Sequence, residues 1–237
     1  MSDDTSAAPP SASAPTLDDW HAAAIDTSAA QRMYAIQLRT HCIYAPASRI
    51  WGCPPWPDAA PLDVYLQRIA QDFARFTNVA RELRLDGYAV ELPGPGFGAT
   101  LAELARTTRR VLTFLSEHDP AGDRCLDAEV ERPGWVFLFG GEPFFVNAFA
   151  PCYPVDHSRY AFGDTATLLL FQPRHSFARA FRDGQSQLPD IARARIRQEF
   201  EAHGRAYDTA ISAVPFEAYR IIRPLRTGDP EVRWWES

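Results

Sequence analysis

The stretch Trp135–Phe177, WVFLFGGEPFFVNAFAPCYPVDHSRYAFGDTATLLLFQPRHSF, decides the fold. Three of its segments have the length and apolar content of strands: Trp135 to Phe139, Phe144 to Ala148 and Thr165 to Phe171. Gly140-Gly141-Glu142-Pro143 joins the first two as a hairpin, because glycine reaches the positive φ that tight turns demand. Pro173 ends the third, since it has no N–H to give to a ladder. Between the second and third lies a turn-rich insert that places Cys152, Tyr153, His157 and Arg159 within eight positions. Side chains able to bind a metal, move a proton or hold an anion are denser here than anywhere else in the chain.

Helical patterns flank this region. Upstream, Leu62, Leu66, Ile69, Phe73, Phe76 and Leu83 recur at three- and four-residue steps behind Pro61, which suits a first helical turn. That spacing predicts a long amphipathic helix stopped near Gly87, followed by a short strand over Tyr88 to Leu92. Thr100 and Glu103 form a capping-box pattern, and a second helix runs from there to just before Asp119-Pro120. Downstream, Asp190 to His203 reads as a third helix with Ile191, Ile196 and Phe200 inward and Gly204 as its stop. Trp20 to Leu38 is Ala-rich and either helix or strand, Trp51 to Ala60 is a proline-rich loop, and the chain after the third helix reads as irregular. Strands gathered between helical blocks, instead of alternating with them, favour α+β with a central antiparallel sheet packed against amphipathic helices.

At 237 residues with 46% apolar content, the chain supports one large core, and no internal linker divides it. Residues 1–17 are Ser, Ala, Pro and Asp with little to bury, so they read as a disordered tail, leaving 18–237 as a single domain. The net charge of −6 argues against nucleic acid as a partner. All 24 basic residues are arginine, which excludes Schiff-base chemistry on a lysine. The four cysteines lack a C-x-x-C spacing, which argues against a zinc ribbon or a redox dithiol. The MSDD start carries no signal peptide and no run is long enough to span a membrane, so a cytoplasmic protein with reduced thiols is expected.

Among the histidines, His118 and His203 fall at helix C-termini, where a partial positive charge is favourable without a function, and His21 adjoins the tail. His41 and His175 lie near loops and carry a weaker signal. His157 stands in the insert with Tyr153, Asp156, Ser158 and Arg159 around it. Glu142 is either a turn residue or an acceptor for a cationic substrate. Arg159 and Arg174 suit bidentate carboxylate binding or a structural ion pair. Gly94-Pro-Gly-Phe-Gly reads as a loop feeding a helix, since no strand follows to complete a nucleotide-binding unit.

GEPFFV, then YPVDHSRY, then the apolar strand ending FQPRHSF, together with the upstream HCIYAPASRIWG, resemble the YqcI/YcgG-type family, which includes haem-dependent N-oxygenases. The resemblance implies a haem b enzyme. It would insert oxygen from O₂ at an amine, guanidine or amino-heterocycle nitrogen, with electrons from an external reductant or electron-transfer partner, in specialised metabolism. It implies His157 as the iron ligand, with Tyr153, Cys152 and Cys42 as competing ligands. Glu142 and Tyr153 then become the catalytic candidates, and Phe145, Arg159 and Arg174 join His157 in holding the cofactor. A homodimer is an open option. Tyr153 stands where many members have histidine, and Pro154 to His157 replaces their Arg-rich run. The competing reading is a haem- or small-ligand-binding sensor or carrier without catalysis.

Overall fold

The computed structural model describes residues 24–57, 60–180, 190–205 and 207–237, so the expected tail, Trp20 and His21 lie outside the described residues. Five strands form one sheet: β1 (Ile50–Gly52), β2 (Gly87–Leu92), β3 (Phe137–Phe139), β4 (Glu142–Phe149) and β5 (Thr167–Pro173), in the order β1-β2-β5-β4-β3. Four neighbours thus meet in three antiparallel pairs, while β1 runs parallel to β2. The α+β class holds, with the sheet mixed at one edge. β1 is a correction to the expected loop: only three residues long, it offers no alternation for sequence to betray. The β3–β4 turn is the glycine pair alone, with φ of 61° and 74° at Gly140 and Gly141, and Glu142 and Pro143 already belong to β4.

Helices cover both faces. α1 (Ser28–Gln37) resolves the ambiguous Ala-rich stretch as helix, capped by the Thr27 side chain, which accepts from the Ala30 N–H at 3.2 Å. α2 (Leu62–Val79) carries the expected apolar stripe but ends eight residues before Gly87, in a turn that reverses at Arg84 with φ 52°. α3 (Leu101–Glu117) begins with the full capping box, Thr100 and Glu103 satisfying each other's backbone N–H groups. α4 (Arg174–Ala180) follows β5 without a loop, and α5 (Asp190–Ala202) ends at Gly204, φ 69°. Ile196 and Phe200 of α5 are buried as expected, whereas Ile191 is 85% exposed. The expected irregular C-terminal part instead holds α6 (Thr209–Ala213), α7 (Ala218–Ile221) and a closing 3₁₀ turn, Trp234–Glu236.

The core centres on Phe73 of α2, whose ring lies 4.5 Å from Phe139, 4.8 Å from Tyr88, 4.9 Å from Phe144 and 5.0 Å from Phe171. Burying such a ring contributes roughly 2–3 kcal/mol, and the offset ring contacts add to it. β1 is tied to the same helix by the buried Asp72 carboxylate, which accepts from Trp51 Nε1 at 3.1 Å and the Tyr88 hydroxyl at 3.0 Å. On the opposite face, α1 sits so close to β1 that a Cβ on Gly52 would lie 2.0 Å from Thr27 Oγ1. Arg32 of α1 then pairs with Glu91 of β2 at 2.8 Å and with Asp164. β4 alternates buried Phe144, Val146 and Ala148 with half-exposed Phe145, Asn147 and Phe149, so one face of this strand is only partly covered. Among the described residues no helix is long and apolar enough to cross a membrane.

Candidate functional site

The structure divides the expected site residues into two groups at opposite ends of β4. Seven strand steps separate Glu142 from Phe149, about 24 Å at the ~3.4 Å rise of an extended chain, and the insert lies beyond Phe149. Glu142, Phe145 and Arg174 belong to the first group; Tyr153, His157 and Arg159 belong to the second.

The second group is a packed junction. The insert is pinned at one side by Cys152, whose N–H donates to the Gly98 carbonyl at 2.9 Å. Its other side meets the segment that follows α7. The Tyr153 hydroxyl accepts from the Arg223 N–H at 3.1 Å and donates to the Arg223 carbonyl at 3.0 Å. The His157 ring stacks on Tyr153, centroids 4.2 Å apart and planes within 2°. Its Nε2 lies 3.2 Å from the Pro224 carbonyl and its Nδ1 accepts from the Arg159 N–H at 3.0 Å. These contacts fix the neutral tautomer with hydrogen on Nε2. Burial, then the positive charges of Arg159 and Arg223, push the His157 pKa down to about 4. Arg159 lies over the Phe149 ring at 5.5 Å and reaches the Arg220 carbonyl at 3.4 Å. Burial, then Arg223, lowers its pKa to about 10.

As iron ligands these residues do not fit. Both His157 nitrogens and the Tyr153 hydroxyl are taken by backbone groups, and freeing them would leave buried donors and acceptors unpaired. Burial holds the Cys152 thiol up at about 11 and raises that of Cys42, so neither is a ready thiolate. The density of functional side chains in the insert is that of a loop satisfying its own backbone against a distant segment.

The first group has a different character. β5 runs straight into α4, and the β4–β5 register pairs Phe144 with Pro173 and Phe145 with Gln172. Continuing it by two residues sets Glu142 opposite His175, a histidine to which sequence gave little weight. The His175 side chain is 8% exposed, and its Nδ1 lies 3.1 Å from Glu142 Oε1, off the direction of a good hydrogen bond. The same carboxylate oxygen is 3.4 Å from the His175 backbone N–H. Arg81 approaches the other oxygen at 3.6 Å from solvent. His175 Nε2 is buried and has no hydrogen-bond partner. The rings of Phe145 and Phe177 meet edge to face at 4.9 Å, and Arg174 is exposed at the first position of α4.

The His175 imidazole is thus buried with neither nitrogen hydrogen-bonded, a carboxylate oxygen near Nδ1 and nothing at Nε2. His175 keeps a ring nitrogen without a partner where His157 has none. Among the described residues no three His, Cys, Asp or Glu side chains gather as a metal cage. A cleft of about 500 Å³ between α3 and the C-terminal turn, lined by Glu117, Glu131, Trp234 and Trp235 among others, involves neither group.

A model of the YqcI/YcgG family matches residues 62–212, more than half of the chain, from α2 to α6. The match takes in both groups. None of the curated proteins and none of the solved structures compared with the chain matches it.

Proposed function

The chain belongs to the YqcI/YcgG family, and from that premise we propose that it is a haem-dependent N-oxygenase. Its substrate would be a small amine, guanidine or amino-heterocycle such as a 2-aminoimidazole, oxidised to an N-hydroxy or nitro product in specialised metabolism. The observation that carries this reading is the buried His175 imidazole nitrogen without a partner, on a ring whose other nitrogen lies 3.1 Å from Glu142.

Haem b, when bound, supplies the activation of O₂. The balance of the first oxidation is simple: one oxygen atom enters an N–H bond, the other leaves as water, and an external reductant provides two electrons, with two protons. What the chain contributes is position and polarity. Phe145 and Phe177 offer an apolar wall for a flat conjugated group. Arg174 and Arg81, both at the rim, suit the carboxylates of such a group. The Glu142 carboxylate, 3.1 Å from the His175 ring, suits a cationic guanidinium or aminoimidazolium nearby.

Reconstitution with haem and a reductant assay under O₂ test this. A Soret band, with N-hydroxylated or nitro product from an aminoimidazole or an arginine-like guanidine, is the expected result. No Soret band after haem addition ends the proposal. A Soret band without product on any of these substrates would make the protein a haem carrier or sensor.

A further inference from the structure

We propose that Arg39 and Arg205, gathered on the Phe162 ring, form a docking surface for an acidic protein, and that this partner is the electron donor of the proposed oxidation. The partner's role as donor rests on the haem reading above, whereas the docking surface stands apart from it.

Three segments distant in sequence meet at this surface: the end of α1, the far side of the insert and the residue after the Gly204 stop of α5. Arg39 is exposed, while Arg205, Tyr160 and Phe162 are half-buried. The Arg39 guanidinium carbon lies 4.5 Å from the Phe162 ring centroid, and its Nη1 donates to the Phe162 carbonyl at 3.4 Å. The Arg205 guanidinium carbon lies 4.2 Å from the same centroid and 5.7 Å from that of Tyr160. Phe162 has φ 58°, a left-handed backbone that a bulky residue rarely adopts. Such an outlier persists where the surroundings require a side chain at one fixed point. Here the ring that it presents draws two like charges together. Burial, and then Arg39, lowers the Arg205 pKa against the opposing pull of Tyr160.

Elsewhere in the fold arginines find carboxylates: Arg32 pairs with Glu91 and Asp164, Arg110 with Asp63, and Arg233 with Glu131. Among the described residues Arg39 and Arg205 pair with no carboxylate, and their contacts are aromatic rings and a carbonyl. Asp164, two residues beyond Phe162, is already held by Arg32 and by the Ala166 N–H at 2.9 Å. The chain as a whole carries a net charge of −6, so this pair is a local inversion of sign. Charge complementarity steers an acidic surface onto such a patch, and guanidinium groups bind carboxylates in forks. The occupant is protein-sized: Leu38, which precedes Arg39, is 57% exposed, and Tyr34, one turn earlier on the same helical face, is 55% exposed. Arginine and aromatic side chains are enriched at protein interfaces, and large apolar groups beside them are what a partner's surface covers. A single-stranded nucleic acid would need open ring faces for its bases, and the Phe162 ring already carries guanidinium groups.

The test titrates the full chain calorimetrically with a plant-type [2Fe–2S] ferredoxin, an acidic redox protein, as the probe. Wild type should bind it, with an affinity that falls steeply as salt rises. Arg39→Glu combined with Arg205→Glu should weaken binding roughly tenfold or more. The gentler pair Arg39→Gln and Arg205→Gln should weaken it less, and Arg68→Glu, exposed on α2 across the sheet, should leave it unchanged. A wild type that does not bind the ferredoxin, or a double glutamate variant that binds as tightly as wild type with circular dichroism unchanged, refutes the docking surface. Displacement of the ferredoxin by inorganic phosphate at constant ionic strength, or by an equal concentration of a single-stranded oligonucleotide, refutes a protein occupant. On the haem-reconstituted chain, reduction of the haem by reduced ferredoxin should slow in the double glutamate variant as binding does, and an unchanged rate refutes the donor role. A chain that binds the ferredoxin through these arginines but never acquires a Soret band keeps the docking surface and loses the haem reading.

Discussion

Acidification provides a sharp test of the junction between the insert and the C-terminal segment, through His157. Its folded-state pKa is about 4, set by burial and then by Arg159 and Arg223, against about 6.5 in the unfolded chain. The unfolded state therefore binds the proton first. Stability contributed by keeping this ring neutral is fully present above pH 6.5 and is lost as pH falls towards 4. Between those limits the linkage amounts to about 3 kcal/mol, and about 2.5 kcal/mol of it is gone by pH 4.5. Geometry gives the same sign: a proton on Nδ1 would face the Arg159 N–H that now donates to it. The assay is urea unfolding of wild type and His157→Asn across pH 7.5 to 4.5. Asparagine does not titrate, so the stability difference between the two proteins should shrink or reverse by about 2.5 kcal/mol over that range. A difference that stays constant with pH would refute the argument, because it would mean that His157 takes up no protons on unfolding.

Three further outcomes follow from packing and backbone geometry. Tyr153→Phe removes the hydroxyl shared by the Arg223 N–H and carbonyl, and should lower stability by about 2–3 kcal/mol in denaturant titrations, without affecting haem uptake. Gly52→Ala puts a methyl group 2.0 Å from Thr27 Oγ1 and 2.4 Å from the Ala30 nitrogen; displacing α1 should cost about 1–3 kcal/mol, read as a lower thermal midpoint. Thr100→Ala removes half of the capping box of α3 and should cost about 1 kcal/mol, whereas Thr100→Ser should cost little.

Much of the fold was legible because it is written locally. Two adjacent glycines at positive φ, an apolar stripe from Leu62 to Phe76, and Thr100 with Glu103 each specify their own few residues. β1 was not legible, because Ile50–Gly52 is a strand only by virtue of lying beside β2, 37 residues further on in its register (Ile50 with Gly87). Ile191 breaks its helical pattern for a similar reason: spacing assigns a face, and only neighbours decide whether that face is covered. The site was legible in part. Glu142, Phe145 and Arg174 are expected from sequence, and Glu142 faces His175, the residue after Arg174. His157 was chosen for the chemical density around it, but its partner Pro224 is 67 residues away, and that contact turns a reactive-looking loop into a structural one. His175 was passed over because Gln-Pro-Arg before it looks like the start of a loop. The missing signal was register: once Phe144 faces Pro173, Glu142 faces His175.

The place of β5 in the sheet bears on how the chain is made. It lies between β2 and β4, yet it is the last of the five strands to leave the ribosome. Until residues 167–173 emerge, β1–β2 and the β3–β4 hairpin are two separate half-sheets, each with an apolar face and an open hydrogen-bonding edge. During that interval β2 and β4 offer edges of compatible direction to each other and to neighbouring nascent chains, which is the geometry of misassembly. The strand that brings His175 to Glu142 is also the one that closes both edges. Completion of the sheet and assembly of the candidate site are therefore a single late event, and an immature chain of this protein has neither.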